Sequence, residues 1–377
     1  MIFLKGTAKH PAVPFISERK IDMKFKKFLC GILAATVLIV PALSGCKHVD
    51  KKNLFKTESS SPTSAASQPE TSQNPETPSQ NAITPLMWKA EDQNGNYAYL
   101  FGSIHAGDNA VDNLPDYFEK AYADSDTLAF EIDMSDMYSE LTASSSMLTD
   151  VIYADGTTIK DHISENTYNK LVQILKENGM YNALYDYYKP LMWESLIENL
   201  SIVKAGLNPT KGVDLTLTNR AKADGKTIEE VESMDFQMSM FNGLSDNVVE
   251  MLLSSYAEDG IVEKQAHQLK DLYEKWKSGT ITEKDLQDED FDESQLTDEE
   301  KAAFEEYNNA LLTDRNKGMT EKLTDYIKSG KTVMLVVGTA HFLGDDGIIA
   351  LLEEQGFTVT QITSADQLET REIQKAA

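Results

Sequence analysis

The sequence has little cysteine and little positive charge. Its 377 residues include two cysteines, which excludes a disulfide-rich scaffold and a zinc module with four cysteine ligands. There are 35 Lys and Arg residues against 61 Asp and Glu, a formal net charge of −26. Because phosphate backbones bind basic surfaces, this balance argues against a nucleic-acid partner. With 41% apolar and 25% charged residues, the composition is otherwise that of an ordinary globular protein.

The apolar run at residues 28–40 is too short to span a bilayer, which takes about 20 residues. It follows a cationic segment that begins at Met23, and it leads into small residues, which is the pattern of a secretory signal. The ending Leu43-Ser44-Gly45-Cys46 resembles the bacterial lipobox. We therefore expect Cys46 to become the first residue after cleavage and to carry fatty acyl chains such as palmitate.

These features divide the chain into an N-terminal targeting segment, a tether and a folded domain. Residues 1–22 are interpreted as an upstream start extension and residues 23–45 as a lipoprotein signal peptide. Residues 46–85 hold the lipidated cysteine and a Ser-, Thr- and Pro-rich tether that has too few apolar residues to fold. Residues 86–377 are expected to form the domain. The predicted location is the extracytoplasmic face of the bacterial cell membrane, and the oligomeric state is left open.

Short apolar strands alternate with helices at both ends of the domain, which favours the α/β class. Segments 86–90 and 97–101 flank an Asn-Gly turn, the pattern of a β-hairpin. Further strands are predicted at 127–132, 227–231, 332–337 and 357–362, and a helix at 346–355. Between about 163 and 328 we expect a large, mostly helical insertion or cap, with helices at 168–178, 191–204, 214–223, 236–256, 262–276 and 299–327.

Two of the predicted strands end in the same pattern of Gly, hydroxyl residue, apolar residue and His. The first copy runs from Gly102 and Ser103 to His105, and the second is Gly338-Thr339-Ala340-His341. Ligands of open α/β sheets bind outside the carboxyl ends of the strands, so both histidines are predicted to lie at one site. The alternative interpretation is that each histidine only hydrogen-bonds the backbone of a tight turn.

Acidic residues follow other predicted strands. Glu131 and Asp133 are two residues apart, so a continuing strand would point both to one face, and Glu232 follows the strand at 227–231. Two imidazoles with carboxylates suit a divalent Mn, Fe, Co or Zn ion. Such an ion polarises a carbonyl and activates water, while a further carboxylate takes the proton. For each acid, a helix N-cap or a surface ion pair is the alternative.

Three more residues are candidates with weaker arguments. Arg315 and Asn316 lie on the helix that leads into the strand at 332–337, where an arginine can bind a carboxylate or a developing oxyanion. A solvated helix residue is the alternative for Arg315. Asp214 is interpreted as a helix N-cap, with a place in the site as the alternative.

Taken together, these residues resemble the TraB/GumN family, which is similar to the Tiki metalloproteases and more distantly to erythromycin-esterase-like proteins. The resemblance rests on six segments: the one ending at His105, Glu131 with Asp133, Gly212 to Asp214, Gly225 to Glu232 with Gln237, Asp314 to Asn316, and Gly338 to Gly347. It implies that His105, Glu131 and His341 are the central site residues, with Arg315 close by, and that the activity is metal-dependent peptide hydrolysis. It also implies a split mixed sheet built from two related Gly-x-x-His halves.

The leading hypothesis is a lipid-anchored, metal-dependent hydrolase that cleaves a peptide bond in a peptide or small-molecule substrate. His105, His341 and Glu131 would hold the metal, and Glu131, Arg315 and Glu232 would act in catalysis. One alternative is metal-independent hydrolysis with His105 or His341 as general base and Glu131 orienting it. The other is a non-catalytic lipoprotein that captures a peptide or small ligand.

Overall fold

The computed structural model describes residues 83–133, 150–286 and 296–368. The predicted start extension, the signal peptide, Cys46 and all but the last three residues of the tether lie outside the described residues, and their interpretation stays a prediction. In the three described stretches, no helix has both the length and the apolar character needed to cross a bilayer.

Six described strands form one mixed sheet, which confirms the α/β class. The strands are β1 (Met87–Glu91), β2 (Tyr97–Ser103), β3 (Thr127–Phe130), β4 (Thr227–Glu230), β5 (Val333–Gly338) and β6 (Thr358–Gln361). Their order across the sheet is β4-β3-β5-β2-β1-β6. The four strands β4, β3, β5 and β2 run parallel, and β1 is antiparallel to both β2 and β6. The relation between two Gly-x-x-His halves, and a split of the sheet between them, stay predictions.

The predicted hairpin is present between β1 and β2. The Asp92 carboxylate accepts the backbone N–H groups of Asn94 and Asn96, and Gly95 adopts a φ of +81°, which favours glycine. The turn chemistry of this segment is local, which is why the sequence predicted it correctly.

The helices follow the predicted ones closely, with two interruptions. They are α1 (Asp116–Asp124), α2 (Glu165–Glu177), α3 (Pro190–Lys204), α4 (Val213–Ala223), α5 (Met234–Asn242), α6 (Asp246–Ser255), α7 (Ile261–Ser278), α8 (Glu283–Leu286), α9 (Asp298–Asn308), α10 (Asp314–Lys328) and α11 (Ile348–Glu354). The prediction of a single helix over 236–256 was wrong. Helix α5 ends at Asn242 with Gly243 as its C-cap, and the Ser245 hydroxyl caps the start of α6. The helix predicted over 299–327 is divided by a π-helical turn at Asn309–Thr313.

The core of the described residues has three large parts and one small cluster at Ala106, Ile202 and Leu269. On one face of the sheet, Phe101 and Val336 pack with side chains of α1, α4 and α7. On the other face, Leu100 and Leu335 pack with side chains of α10 and α11. Helices α2, α3, α5, α6 and α9 enclose a separate helical core. Helices α4, α7 and α10, which fall inside the predicted cap interval, therefore pack against the sheet.

The helical core contains a buried pair of carboxyl groups. Glu194 and Glu198 are one turn apart on α3, and the Tyr256 hydroxyl lies 3.0 Å from an oxygen of each. Burial, together with the nearby charge of Glu198, raises the pKa of Glu194 well above its ordinary value of 4.5. Folding raises this pKa, so protonated Glu194 contributes to the free energy of unfolding. This contribution is fully present below about pH 4.5 and is lost as the pH rises toward the raised pKa.

Replacing Glu194 by glutamine should therefore raise the free energy of unfolding at pH 7.5 by about 1–3 kcal/mol, the scale of one unsatisfied buried polar group. The amide removes the like-charge repulsion and can donate to Glu198. Urea unfolding at pH 7.5 and pH 4.5 should show a gain at the higher pH that shrinks at the lower one. Glu321→Gln, at an exposed position, is the control. An equal change at both pH values would contradict the prediction.

Candidate active site

The two Gly-x-x-His segments lie side by side because β2 and β5 are neighbouring parallel strands. Ser103 pairs in register with Gly338, so both histidines follow the same edge of the sheet. The Thr339 hydroxyl donates to the backbone carbonyl of Ser103 (2.9 Å), and the Trp276 indole N–H donates to that of Gly102 (2.8 Å). A Cβ at Gly102 would lie 2.7 Å from the Thr339 hydroxyl, so this close approach requires glycine.

His105 is oriented by Asp214. The ring Nδ1 lies 2.6 Å from Oδ2 of Asp214, a contact that favours a proton on Nδ1, so in the neutral ring Nε2 carries the lone pair. Nε2 is buried and has no hydrogen-bond partner among the described residues. Burial disfavours the charged ring, but the Asp214 carboxylate outweighs it and raises the pKa of His105. Gly212 allows this contact, since a Cβ there would lie 2.5 Å from the His105 carbonyl oxygen.

His341 is oriented by Asn316. The ring Nδ1 lies 2.7 Å from the side-chain oxygen of Asn316, whose amide nitrogen donates to the Asp346 carbonyl (2.9 Å). The second bond fixes which end of the amide faces the ring, so Nδ1 carries the proton and Nε2 the lone pair. Burial and then the Arg315 charge lower the pKa of His341 to about 3. This ring is therefore neutral at physiological pH.

Glu131 lies between the two strand ends, just after β3. Its Oε1 accepts the Gly338 N–H (2.8 Å) and lies 3.7 Å from Nε2 of His341, and its Oε2 accepts from Nη2 of Arg315 (2.6 Å). Burial alone would raise its pKa, but the Arg315 charge, with smaller contributions from both histidines, lowers it to about 2. Glu131 is thus an anion that is held rigidly and is 5% exposed.

Arg315 joins Glu131 to Glu232. Its Nε and Nη2 each donate to one oxygen of Glu232 (2.8 Å and 2.8 Å), a bidentate pairing, and Gln237 donates to the same carboxylate (2.7 Å). Arg315 is the second residue of α10, directly after the π-helical turn, and Nη1 donates to the Leu311 carbonyl inside that turn. π-Helical turns are frequent at functional sites, and this one helps to position the guanidinium.

The functional groups converge around the Cα of Gly338. A Cβ built there would lie 3.5 Å from Oε1 of Glu131, 3.6 Å from Nε2 of His105 and 3.6 Å from Cδ2 of His341. The glycine therefore leaves a small space that three potential ligands face. The carboxylates of Glu131, Glu232 and Asp214 and the Arg315 cation carry formal charges that sum to −2, with the histidine rings left out of the sum.

Most of the predicted site residues are brought together, and two expectations were wrong. Asp133 does not share a face with Glu131, because β3 ends at Phe130; its carboxylate pairs with Lys222 (3.2 Å). Asp214 is not the N-cap of α4, a position that Gly212 occupies, and instead contacts His105. The sequence interpretation gave no role to Trp276, and a buried tryptophan at helical spacing offers no signal that would have assigned one.

The residues around Gly338 fit a divalent ion in their chemistry. Within the described residues, no set of three or more His, Cys, Asp and Glu side chains already stands at metal-binding spacing. The imidazoles of His105 and His341 nevertheless present Nε2 with Nδ1 anchored by an oxygen, the outer-shell arrangement typical of ligand histidines. The 3.7 Å between His341 and Glu131 is close to the roughly 3.4 Å between two ligands of a tetrahedral site with bonds near 2.1 Å.

A cleft of about 240 Å³ opens beside Arg315 and Asn316. A smaller cavity of about 20 Å³ is lined by Ser103, His105 and Gly338. Both cavities share Ala340 and Leu286 in their walls. The larger cleft therefore lies next to the candidate site, along the residues that orient His341 and Glu131.

The chain is similar to one family and to several named proteins. A model of the TraB/PrgY/gumN family matches residues 86–361. Metalloprotease TIKI2 of Xenopus tropicalis is 25% identical over 305 residues, 70% of this chain and 57% of that protein. Metalloprotease TIKI homolog of Nematostella vectensis is 23% identical over 325 residues, 74% of this chain and 68% of that protein.

Uncharacterized protein YbaP of Shigella flexneri is 25% identical over 159 residues, 41% of this chain and 56% of that protein. The chain thus spans less than two thirds of the length of TIKI2 and of YbaP. No solved structure gives a significant match.

Proposed function

Since the chain belongs to the TraB/PrgY/gumN family, we propose that it is a metal-dependent hydrolase that cleaves peptide bonds at the site around Gly338. The observation that carries the proposal is that Nε2 of His105, Cδ2 of His341 and Oε1 of Glu131 meet at this glycine, with Nε2 of His341 3.7 Å from Oε1 of Glu131. The similarity to Tiki metalloproteases, at 25% and 23% identity in the two relatives described above, supports the same reaction class.

His105, His341 and Glu131 would hold the ion. A divalent cation supplies Lewis acidity to such a reaction, since it polarises the substrate carbonyl and acidifies the attacking water. Asp214 and Asn316 hold the Nδ1 side of the two rings, so both Nε2 atoms would be left to bind the ion. The formal charge of −2 among the fixed groups offsets the charge of the ion.

Arg315 and Glu232 would act by positioning. Both oxygens of Glu232 accept hydrogen bonds from the Arg315 guanidinium. The same guanidinium donates to Oε2 of Glu131, so Oε1 of Glu131 is left to face the histidines. Arg315 also lines the cleft, where its positive charge would stabilise an oxyanion that develops on the substrate carbonyl. The buried surroundings strengthen this interaction because they exclude water.

One observation favours a second candidate, metal-independent hydrolysis. The Asp214 carboxylate, the His105 Nδ1–H and the unpartnered His105 Nε2 have the order in which a catalytic triad arranges its acid and its general base. His105 would then take the proton of the attacking water directly. The orienting acid would be Asp214 and not Glu131, which differs from the expectation from sequence. Hydrolysis that survives exhaustive chelation would support this candidate over the first.

Replacing His105 by alanine tests the proposal. The purified protein should bind about one divalent ion per chain by elemental mass spectrometry, and it should cleave peptides from a mixed library. We expect His105→Ala to lose most of the metal and at least a hundredfold of the activity.

His267→Ala is the matched control, because His267 is exposed on α7 away from the site. It should keep both properties. Equal metal content and turnover in His105→Ala and wild type would refute the assignment. Recovery of a bound peptide that stays intact would favour ligand capture over hydrolysis.

We also propose that the domain works outside the cytoplasm, tethered to the cell membrane through lipidated Cys46. The support is the order of cationic segment, apolar run and Leu-Ser-Gly-Cys in the sequence. Replacing Cys46 by alanine should move the protein from the membrane fraction to the soluble fraction and abolish labelling by a palmitate analogue. Labelling that persists in the variant would contradict the anchor.

A further inference from the structure

We propose that Gln237 is a positioning residue for the candidate site, and that it holds Glu131 in place through Glu232 and Arg315. The inference deepens the proposed function and rests on it, because it adds a residue to the machinery of the same site. The sequence assigns Gln237 no role beyond the family resemblance.

Three hydrogen bonds that share atoms join Gln237 to Glu131. The side-chain Nε2 of Gln237 donates to Oε2 of Glu232 (2.7 Å). That same oxygen accepts from Nη2 of Arg315 (2.8 Å), and Nη2 also donates to Oε2 of Glu131 (2.6 Å). A shift of the Glu232 oxygen would therefore move the nitrogen that holds Glu131. The Gln237 amide restrains that oxygen, as outer-shell partners restrain the ligands of a metal.

The Gln237 amide matters because one cation serves two carboxylates. Arg315 pairs with both Glu131 and Glu232, and all three side chains are buried. The guanidinium makes two hydrogen bonds with Glu232 and one with Glu131. A neutral donor on Glu232 stabilises that carboxylate without drawing the cation away from Glu131. The guanidinium can then stay between the two acids.

The orientation of the Gln237 amide is unfavourable for the glutamine itself. The side chain is 1% exposed, and its Oε1 is buried without a hydrogen-bond partner among the described residues. An ionised carboxylate only accepts hydrogen bonds, so the amide turns its nitrogen toward Glu232 and leaves its oxygen unpaired. An unpaired buried acceptor destabilises a fold and calls for an explanation. Holding Glu232 is the explanation that these contacts support.

Gln237 also links the site to the helical core. It lies near the start of α5, and Met238 and Phe241 of the same helix are buried in that core. On the other side, the backbone N–H of Glu232 donates to the Glu131 carbonyl (2.9 Å), which fixes Glu232 to the end of β3. The packing of α5 therefore sets where the Gln237 amide meets the Glu232 carboxylate.

The test compares Gln237→Leu with wild type in metal binding and in hydrolysis. Leucine is close to glutamine in size, and it removes the donor together with the unpaired oxygen. Mn²⁺ is titrated into chelator-treated protein by isothermal titration calorimetry, and kcat and KM are measured on a peptide that the wild type cleaves. We expect the Kd for Mn²⁺ to rise about tenfold and kcat to fall about tenfold, with KM within about twofold of wild type.

Two controls separate positioning from general stability. Gln173→Leu removes an exposed amide that also donates to a glutamate (2.8 Å), on α2. Leu171→Ala opens a cavity in the helical core and should lower the midpoint of urea unfolding. Both variants should keep the Mn²⁺ affinity and kcat of wild type within about twofold. Circular dichroism checks folding, and Gln237→Asn, which draws the amide back from Glu232, replaces Gln237→Leu if that variant does not fold.

The inference and the proposed hydrolysis fail in different ways. Weaker Mn²⁺ binding in Gln237→Leu, but not in the controls, supports the role of Gln237 even if no peptide is cleaved, an outcome that overturns the hydrolysis. Cleavage by wild type, with kcat and Mn²⁺ affinity unchanged in Gln237→Leu, overturns the inference and keeps the hydrolysis. Equal losses in Gln237→Leu and Leu171→Ala, or a change confined to KM, also overturn the inference, because lost stability or a lost substrate contact then explains them.

Discussion

Replacing Arg315 by methionine is expected to lower the free energy of unfolding by about 3–5 kcal/mol and to abolish hydrolysis. Arg315 is 5% exposed and pairs with two carboxylates that are equally buried, Glu131 and Glu232. Methionine removes the charge and the hydrogen-bond fork, and both carboxylates are then buried without the cation that compensates them. Removing one partner from a buried network is costly because the groups left behind cannot be solvated.

Arg220→Met is the matched control for this prediction. Arg220 also makes a two-pronged contact with a glutamate, Glu119 (2.8 Å and 2.6 Å), but its side chain is 34% exposed. Exposed pairs contribute at most about 1 kcal/mol, so urea unfolding should separate the two variants clearly. A loss in Arg315→Met no larger than in Arg220→Met would contradict the account of the site.

The loss of free energy of unfolding in Arg315→Met should also depend on pH. Folding lowers the pKa of Glu131 from its ordinary value of 4.5 to about 2, in large part through Arg315. The stability linked to this group is therefore fully present above about pH 4.5 and is lost as the pH falls toward 2. The difference between wild type and Arg315→Met should shrink over that interval in urea unfolding experiments.

Replacing Glu131 by glutamine is expected to reduce hydrolysis by about a thousandfold or more and to release the bound metal. The amide has the size of the carboxylate but carries no charge, so it binds a divalent ion far more weakly. It also leaves Arg315 with one carboxylate in place of two. The change can be followed by kcat/KM on a cleaved peptide and by elemental mass spectrometry.

Asp133→Asn is the sharpest control for Glu131→Gln. Both acids follow β3 and are two residues apart, and the sequence analysis names both as site candidates, with the metal and catalytic roles given to Glu131. In the structure Asp133 pairs with Lys222 and does not contact the histidines, so its variant should keep activity within about twofold of wild type. Comparable losses in both variants would show that position in the chain, and not the buried geometry, decides the effect.

The sequence predicted the features that depend on local chemistry. The hairpin, the strands that carry Gly-x-x-His and the terminal helix before β6 all follow from turn residues and apolar spacing over a few residues. The two histidines were expected at one edge because the carboxyl ends of parallel strands meet there. The pairing of β2 with β5 bears this out, although the two strands are more than 200 residues apart in the chain.

The predictions for Asp133 and Asp214 were wrong because a shift of one or two residues in an element boundary changes where these side chains lie. Asp133 was placed beside Glu131 on the assumption that the strand continues to residue 132, but β3 ends at Phe130 and the alternation ends with it. Asp214 was interpreted as a cap because Asp often begins a helix. Here Gly212 takes that position, since its lack of a side chain lets the chain pass the His105 carbonyl.

The interruption at Asn309–Thr313 could not be predicted from periodicity, because a π-helical turn is a short widening inside an otherwise continuous helical segment. It matters for the site because Arg315 follows it directly and donates back to Leu311. The bidentate contact with Glu232 depends on side-chain packing between α10 and the residues after β4, which no local pattern encodes.

The most direct test of the central claim is a crystal structure of the protein soaked with Mn²⁺, with anomalous scattering recorded to locate the ion. The account predicts one strong peak beside Gly338, with Nε2 of His105, Nε2 of His341 and Oε1 of Glu131 about 2.0–2.2 Å from it. A fully occupied Mn²⁺ peak elsewhere, with no anomalous density between the two histidines and Glu131 and no movement of the His105 and His341 side chains, would contradict it.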